Sequence, residues 1–239
     1  MMKYNETDLK FFLNNIWDNN FQKNNGGMGA PDLFTLYFVL NKIKPKIVVE
    51  SGVWNGVSTK LIRRVLPDAI IICLDPREIP KYGYTDTNKN TIYYVGKNFI
   101  DFKNLNLQSY DPKDVLCFFD CHQNAYFRVV QCLEKKISNV LFNDNYPKGC
   151  GSHYTIEQLM NDCQKNFSIK DLEKKRIQSL IDLYHIFPNI YPGNIITKNG
   201  IYKCDSYFNT EQDDITFKIF KDERARYRWN TFIKLKSEL

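Results

Sequence analysis

The feature that most constrains the fold is an alternation of short apolar runs with longer amphipathic segments between residues 46 and 147. Five apolar runs are typical of buried strands, and four of them are closed by an acidic residue. They are Lys46 to Glu50, Ala69 to Asp75, Thr91 to Val95, Val115 to Asp120 and Val140 to Asp144. Buried strands that alternate with amphipathic helices predict the α/β class, with a Rossmann-like, doubly wound and mostly parallel sheet.

The segments on either side of this core predict additional elements. Apolar residues at helical spacing indicate a helix over residues 7–19, and Pro31-Asp32 opens a second helix. After Pro147 the pattern is looser. Ile169 to Tyr184 is typical of a charged helix, and Ile215 to Phe220 alternates like an antiparallel strand. Thr231 to Leu235 alternates in the same way, so we expect an antiparallel C-terminal strand and a helical cap or insertion before it.

Composition excludes several function classes. The 239 residues are 43% hydrophobic and 25% charged, and no apolar run approaches the roughly 20 residues that span a bilayer. Met1 to Glu6 is polar and lacks the apolar region of a signal peptide, so we expect a cytoplasmic protein without a membrane partner. Seven Cys without a CxxC pair indicate reduced thiols rather than a zinc site.

The net charge of +6 is modest, and the basic residues are scattered except between Lys221 and Arg228. Because no nucleic-acid recognition motif accompanies this charge, we expect no nucleic-acid partner. Weak attraction of an acidic or phosphorylated substrate is compatible with it.

The turn that follows the first predicted strand, Glu50 to Gly56, is the most informative motif. Gly52 and Gly56 lack a Cβ, so a ligand can approach the backbone, and the next helix offers its free N–H groups and Ser58. Asp75, at the end of the second strand, can accept hydrogen bonds from both hydroxyls of a ribose. The pattern favours an adenosine-bearing cofactor over a strand-to-helix turn without a ligand. It disfavours NAD and a P-loop, because a third Gly and a Gly-Lys-Ser/Thr sequence are both missing.

From Gly26 to Pro147, about half the chain, the sequence resembles class I S-adenosylmethionine (SAM)-dependent methyltransferases. Within that family it is most similar to metal-dependent O-methyltransferases of the catechol type. Glu50 to Ser58 matches the family's Glu-x-Gly-x-x-x-Gly-x-Ser loop, which holds the amino-acid end of SAM. The resemblance implies SAM as cofactor, with these residues as its contacts: Met28, Glu50, Gly52, Trp54, Ser58, Asp75, Asn98 and Asp120.

The same resemblance implies a metal site. Asp120 follows the fourth strand and Asp144-Asn145 follows the fifth, where the catechol-type enzymes bind Mg²⁺ through an Asp and an Asp-Asn pair. Mg²⁺ or another divalent cation would lower the pKa of a bound acceptor hydroxyl and orient it toward the SAM methyl. The alternative is that Asp120 only contacts the SAM amine, while Asp144 and Asn145 shape a turn before Pro147.

The catalytic base departs from the family pattern. Gln123 stands where the catechol-type enzymes have a catalytic Lys, and Gln cannot act as a base. His122 is the nearest titratable side chain, and we take it, with Asp120, as a catalytic candidate. A role for His122 in adenine stacking or in structure is the alternative. Cephalosporin-hydroxylase-like proteins also resemble this layout, which leaves the subgroup open.

These observations predict a single class I methyltransferase domain over residues 1–239. Its parts are N-terminal helices at 1–45, a SAM-binding core at 46–147, a substrate-side insertion at 148–230 and a final strand at 231–239. The predicted reaction is metal-assisted O-methylation of a hydroxyl on a small molecule or glycan. The alternatives are a metal-independent sugar methyltransferase with His122 as base and a non-catalytic SAM-binding accessory protein. A homodimer is compatible with the sequence, which does not determine the oligomeric state.

Overall fold

A seven-stranded mixed sheet forms the centre of the protein, with strand order β3-β2-β1-β4-β5-β9-β6. The computed structural model describes residues 2–18, 21, 27–147, 150–161, 169–197, 200–209 and 215–236. Its strands are β1 (Ile47–Ser51), β2 (Ile70–Asp75), β3 (Thr91–Val95), β4 (Val115–Phe119), β5 (Asn139–Phe142), β6 (Ile181–Ile186), β7 (Asn194–Thr197), β8 (Gly200–Lys203) and β9 (Thr231–Leu235). Strands β1 to β5 run parallel, whereas β9 is antiparallel to both β5 and β6.

Helices cover both faces of this sheet. They are α1 (Glu6–Phe11, continued by a π-helical turn at Phe12–Ile16), α2 (Ala30–Ile43), α3 (Val57–Val65), α4 (Ala125–Glu134), α5 (Ile156–Met160), α6 (Asp171–Ser179) and α7 (Lys218–Asp222). Successive strand residues face opposite sides, so Val48 belongs to the core with residues of α1, α2, α3 and α7, whereas Val49 belongs to the core with residues of α4, α5 and α6. Because both faces are covered, every residue of β1 and β4 is buried.

The predicted doubly wound sheet with an antiparallel C-terminal strand is confirmed, and the five parallel strands lie where the apolar runs placed them. Two predictions were wrong. Residues 181–184 form part of strand β6 rather than the end of a charged helix, because they pair with β9 at the edge of the sheet. Residues 215–220 are helical rather than extended.

The helical conformation of residues 215–220 follows from the spacing of two aromatic side chains. Phe217 and Phe220 are both buried in the core that contains α1 and α2. Residues three positions apart face the same side in a helix and opposite sides in a strand. Residues 237–239 of the predicted final segment lie outside the described residues.

Within the described ranges, no helix has both the length and the apolar character needed to cross a membrane.

Candidate functional site

A cavity of about 320 Å³ opens where β1, β4 and β5 end, at the carboxyl edge of the parallel strands. Ligands of parallel α/β sheets bind at this edge. Six residues that the sequence singled out border the cavity: Met28, Gly52, Trp54, Asp120, His122 and Asp144. The structure therefore brings the predicted cofactor turn and most of the predicted metal-binding residues to one place.

Both glycines of the turn are required by the packing of the chain itself. Gly52 and Gly56 have φ angles of 97° and 74°, which side chains rarely adopt. A Cβ on Gly52 would collide with the backbone carbonyl of Asp120, and one on Gly56 with that of Tyr84. Backbone packing alone therefore explains why both positions are glycine. Gly52 also borders the cavity, where a ligand could approach it.

Glu50 and Ser58 lie beneath the turn and are not among the residues that border the cavity. Glu50 is fully buried, and its Oε2 accepts hydrogen bonds from Thr59 Oγ1 at 2.6 Å and from Cys73 Sγ at 3.6 Å. Burial raises the pKa of Glu50 to about 7, although hydrogen bonds from Ser58 and Thr59 oppose the shift. These contacts tie β1 to the first turn of α3 and support the turn from inside.

Asp75 holds the same turn from the neighbouring strand. Its Oδ2 accepts hydrogen bonds from the backbone amides of Val53 and Trp54 at 2.9 and 3.0 Å. Its Oδ1 accepts one from Arg77 Nε at 3.1 Å, and the Arg77 guanidinium lies 4.4 Å from the centre of the Trp54 ring. Burial alone would raise the pKa of Asp75, but these hydrogen bonds outweigh it and lower the pKa. A ribose at Asp75 would therefore share the carboxylate with Arg77.

Asn98 ends the short 3₁₀ turn after β3 and is not among the residues that border the cavity.

Asp120, His122 and Asp144 form a compact group of ligating atoms. One such atom from each residue lies within 4.8 Å of the other two. His122 Nε2 is 3.2 Å from Asp144 Oδ2. Burial, and then the nearby Asp144 carboxyl, raise the pKa of Asp120 well above its usual range. The arrangement suits either a shared proton or a bound cation between the two carboxyl groups.

The backbone is strained at three residues that surround the cavity. Trp54, His122 and Asp144 have φ angles of 49°, 51° and 55°, in the left-handed region. Such residues cost free energy and occur preferentially at binding and catalytic sites. Each of the three follows a different parallel strand at the carboxyl edge of the sheet.

The structure brings Asn143, rather than Asn145, to the acidic group. Asn145 is buried elsewhere, because its Nδ2 donates to Thr231 Oγ1 at 2.6 Å and its Oδ1 accepts from the Glu157 amide at 2.7 Å. Asn143 Nδ2 donates to Asp120 Oδ1 at 3.0 Å, and Asn143 Oδ1 is buried without a hydrogen-bond partner. No signal in the sequence distinguishes the two asparagines on either side of Asp144.

Gln123, at the position expected for a catalytic Lys, points away from this group. It is exposed and borders a separate surface depression beside α4, together with Asp101 and Arg128. The adjacent His122, unlike Gln123, is titratable and borders the cavity.

Sequence reasoning missed four further residues that border the cavity with polar side chains: Asp32, Arg77, Tyr146 and Arg228. Asp32 is fully buried, and burial raises its pKa to about 8 despite the opposing charge of Arg228. Burial and the adjacent Asp144 carboxyl raise the pKa of Tyr146. In the sequence, Asp32 indicates only the start of a helix, and Arg228 is only part of the basic segment that begins at Lys221.

No protein-family model matches the sequence, and no curated protein matches it either. Among solved structures, the protein is similar to the O-methyltransferase TomG from Streptomyces achromogenes, which is involved in tomaymycin synthesis and was solved with SAM. The two share 11% identity with a TM-score of 0.51, over 98% of this chain and 97% of that chain. This chain has a class I methyltransferase fold.

Other solved methyltransferases superpose less well. An O-methyltransferase from Bacillus cereus, solved with S-adenosylhomocysteine (SAH), matches with a TM-score of 0.46 and 11% identity over 99% of this chain and 100% of that chain. A putative O-methyltransferase from Klebsiella pneumoniae matches with a TM-score of 0.43 and 12% identity over 98% and 91% of the two chains.

Proposed function

We propose that the protein transfers a methyl group from SAM to a hydroxyl group of a small molecule or sugar, assisted by a divalent cation. The observation that carries this proposal is the shared cavity of a methyltransferase fold. The Gly52 turn borders it on one side, and Asp120, His122 and Asp144 border it as well. A cofactor held by the turn would thus lie next to the group of residues that can hold an acceptor.

The residues near the turn suit SAM in different ways. Met28, Gly52 and Trp54 border the cavity directly, and the exposed Trp54 ring offers a stacking surface. Asp75 would accept hydrogen bonds from a ribose beside Arg77. Glu50 and Ser58 act indirectly in this proposal, because they fix the turn from beneath.

The acidic group fits a divalent cation. Asp120 and Asp144 supply carboxylate oxygens and His122 an imidazole nitrogen, and the buried Asn143 Oδ1 beside them has no partner. Burial and the nearby Asp144 carboxyl raise the pKa of Asp120, so a cation between the two groups would offset the cost of its charged form. A mixed oxygen and nitrogen set favours Mn²⁺, Fe²⁺ or Zn²⁺ more than Mg²⁺, which prefers oxygen ligands. When bound, such a cation would polarise the acceptor hydroxyl.

Calorimetry with SAH tests the cofactor proposal. We expect binding to the wild type, and an affinity at least about tenfold lower for Trp54→Ala, because base–aromatic stacking is lost. Phe127→Ala is the matched control, since Phe127 is another exposed aromatic residue, on α4, and borders a different depression. If neither SAM nor SAH binds to the wild type at millimolar concentration, the proposed function is wrong.

Titration with Mn²⁺ alone tests the cation proposal. Asp144→Asn should abolish Mn²⁺ binding, while its left-handed backbone is preserved because Asn readily adopts φ near 55°. Asp114→Asn, at a surface carboxylate paired with Lys46, should bind Mn²⁺ like the wild type. An absence of binding of Mn²⁺, Zn²⁺ and Mg²⁺ would favour metal-independent transfer with His122 as base.

Methyl transfer itself is assayed with radiolabelled SAM against pools of hydroxylated small molecules and glycans. SAM binding without transfer to any pool would favour a non-catalytic accessory protein.

A further inference from the structure

Asp32 is a buried carboxyl group in the first turn of α2 that no step of the proposed reaction uses. It is fully buried and borders the cavity next to Met28. Its Oδ1 accepts a hydrogen bond from the Arg228 backbone amide at 3.0 Å. Its Oδ2 is buried and has no hydrogen-bond partner. A buried carboxylate oxygen without a partner is costly, so a group that pairs with it from the cavity would be strongly favoured.

The positive charges of Arg228 and Arg226 favour the ionised form of Asp32, but they do not offset its burial. The Arg228 guanidinium donates through Nη1 to the carbonyls of Ala225 and Tyr227, and its Nε lies 3.9 Å from Asp144 Oδ1. Asp120 and Asp144 add negative charge to the same cavity. The positive end of the α2 dipole offsets only part of this charge. The cavity thus favours a ligand that brings a cationic group to the Asp32 side.

The two other carboxyl groups of the cavity are already engaged. Asp120 Oδ1 accepts from Asn143 Nδ2, and Asp144 Oδ2 lies 3.2 Å from His122 Nε2. Both belong to the group of residues that fits a metal ion. Asp32 Oδ2, by contrast, is buried beside the cavity without a hydrogen-bond partner.

We propose that Asp32 binds the α-ammonium group of the methionine part of SAM. The inference rests on the proposed function, since it presupposes SAM in this cavity. A neutral acceptor hydroxyl could donate a hydrogen bond to Asp32 Oδ2 but would not neutralise the carboxylate. An ammonium group would do both. Burial raises the pKa of Asp32 to about 8, so its ionised form needs a cationic partner near neutral pH.

The test compares SAH with its desamino analogue, which lacks only the ammonium group. The wild type should bind SAH at least tenfold more tightly than the analogue. Asp32→Asn keeps an oxygen that can accept from the Arg228 amide but removes the charge. In this variant the affinity for SAH should fall at least tenfold while the affinity for the analogue stays unchanged, so that the preference disappears. Asp114→Asn should retain the wild-type preference.

Two results would overturn the proposal while the proposed function stands. One is a wild type that binds SAH and the analogue equally well. The other is an Asp32→Asn variant that keeps the wild-type preference for SAH or binds both ligands more weakly by the same factor. Either outcome would mean that Asp32 only supports the structure of the cavity. Asp32→Ser serves as a second neutral variant if the Asn variant does not fold. A wild type that binds neither ligand would instead contradict the proposed function together with this inference.

Discussion

Glu50 illustrates how one buried carboxyl group can shape a ligand site without bordering it. Its Oε2 accepts from Thr59 Oγ1, whereas its Oε1 is buried without a hydrogen-bond partner. Burial raises its pKa from 4.5 to about 7, which means that the folded protein holds this proton more tightly than the unfolded chain does. The support of the turn is therefore coupled to pH.

Glu50→Gln should change the pH dependence of stability in a defined direction. A raised pKa in the folded state stabilises the protein below pH 4.5, and this contribution is lost as the pH rises toward about 7. The free energy of unfolding of the wild type relative to Glu50→Gln should thus fall by up to about 1.4 kcal/mol per pH unit in this interval. Urea unfolding at several pH values measures it. If the free energies of unfolding of the wild type and of Glu50→Gln change in parallel between pH 5 and 7, the raised pKa of Glu50 is contradicted.

The sequence placed Asp120, His122 and Asp144 correctly at one edge, because the ends of neighbouring parallel strands meet there. It did not separate Asn143 from Asn145, since the left-handed backbone of Asp144 decides how the two flanking side chains point. That conformation depends on packing rather than on local pattern.

Asp32 could not be assigned from local pattern for a related reason. The amide that fixes its side chain belongs to Arg228, 196 residues along the chain.

At the scale of elements, Arg63 connects the end of α3 to two strands. Its Nε lies 2.7 Å from Asp86 Oδ2, and its Nη2 donates to Thr91 Oγ1 at the start of β3. Its Nη1 donates to the carbonyls of Leu66 and Ala69, before β2. The Arg63 and Asp86 side chains are only 11% and 6% exposed, so solvent screens their attraction weakly.

Arg63→Met should destabilise the protein by about 3–5 kcal/mol, because it leaves the buried Asp86 carboxylate without its positively charged partner. Lys46→Met removes a cation from a surface pair with Asp114, where Lys46 is 74% exposed, and should cost less than about 1 kcal/mol. Chemical denaturation of both variants makes the comparison. If both variants lose the same free energy of unfolding, the contacts of Arg63 do not couple α3 to β2 and β3.

The elements that the sequence predicted correctly are those whose environment is uniform. Strands β1 and β4 are buried along their whole length, so continuous apolar runs identify them. Strand β6 escaped prediction because it is a half-buried edge strand, and only its pairing with β9 fixes its conformation. For such segments tertiary contacts override local propensity.

At the scale of the whole molecule, the N-terminal and C-terminal regions share one core. Phe12 is fully buried, with ring centroids 5.6 Å from Phe34 in α2 and 6.1 Å from Phe220 in α7. The first helix is therefore part of the layer that covers one face of the sheet, rather than a loosely attached extension.

Phe12→Ala should cost about 3–5 kcal/mol through the cavity that it leaves in this shared core. Phe11→Ala is a matched control at the adjacent position, because Phe11 is 50% exposed, and it should cost less than about 1 kcal/mol. Thermal and urea unfolding distinguish the two. Similar small losses in both variants would mean that α1 contributes little to the core.

The wall of the cavity formed by residues 27–32 has a consequence for the order of events during synthesis. Ala30 N donates to Glu223 Oε2, Arg226 Nη2 donates to the Gly27 carbonyl, and Arg228 N donates to Asp32. A ribosome that adds 5–20 residues per second needs roughly 10–40 s to travel from Asp32 to Arg228. The parallel strands can assemble within that interval. The wall cannot, because its partners Glu223, Arg226 and Arg228 have not yet been synthesised. A nascent chain thus acquires its sheet well before it acquires a complete binding site, and ligand capture must follow the synthesis of Arg228.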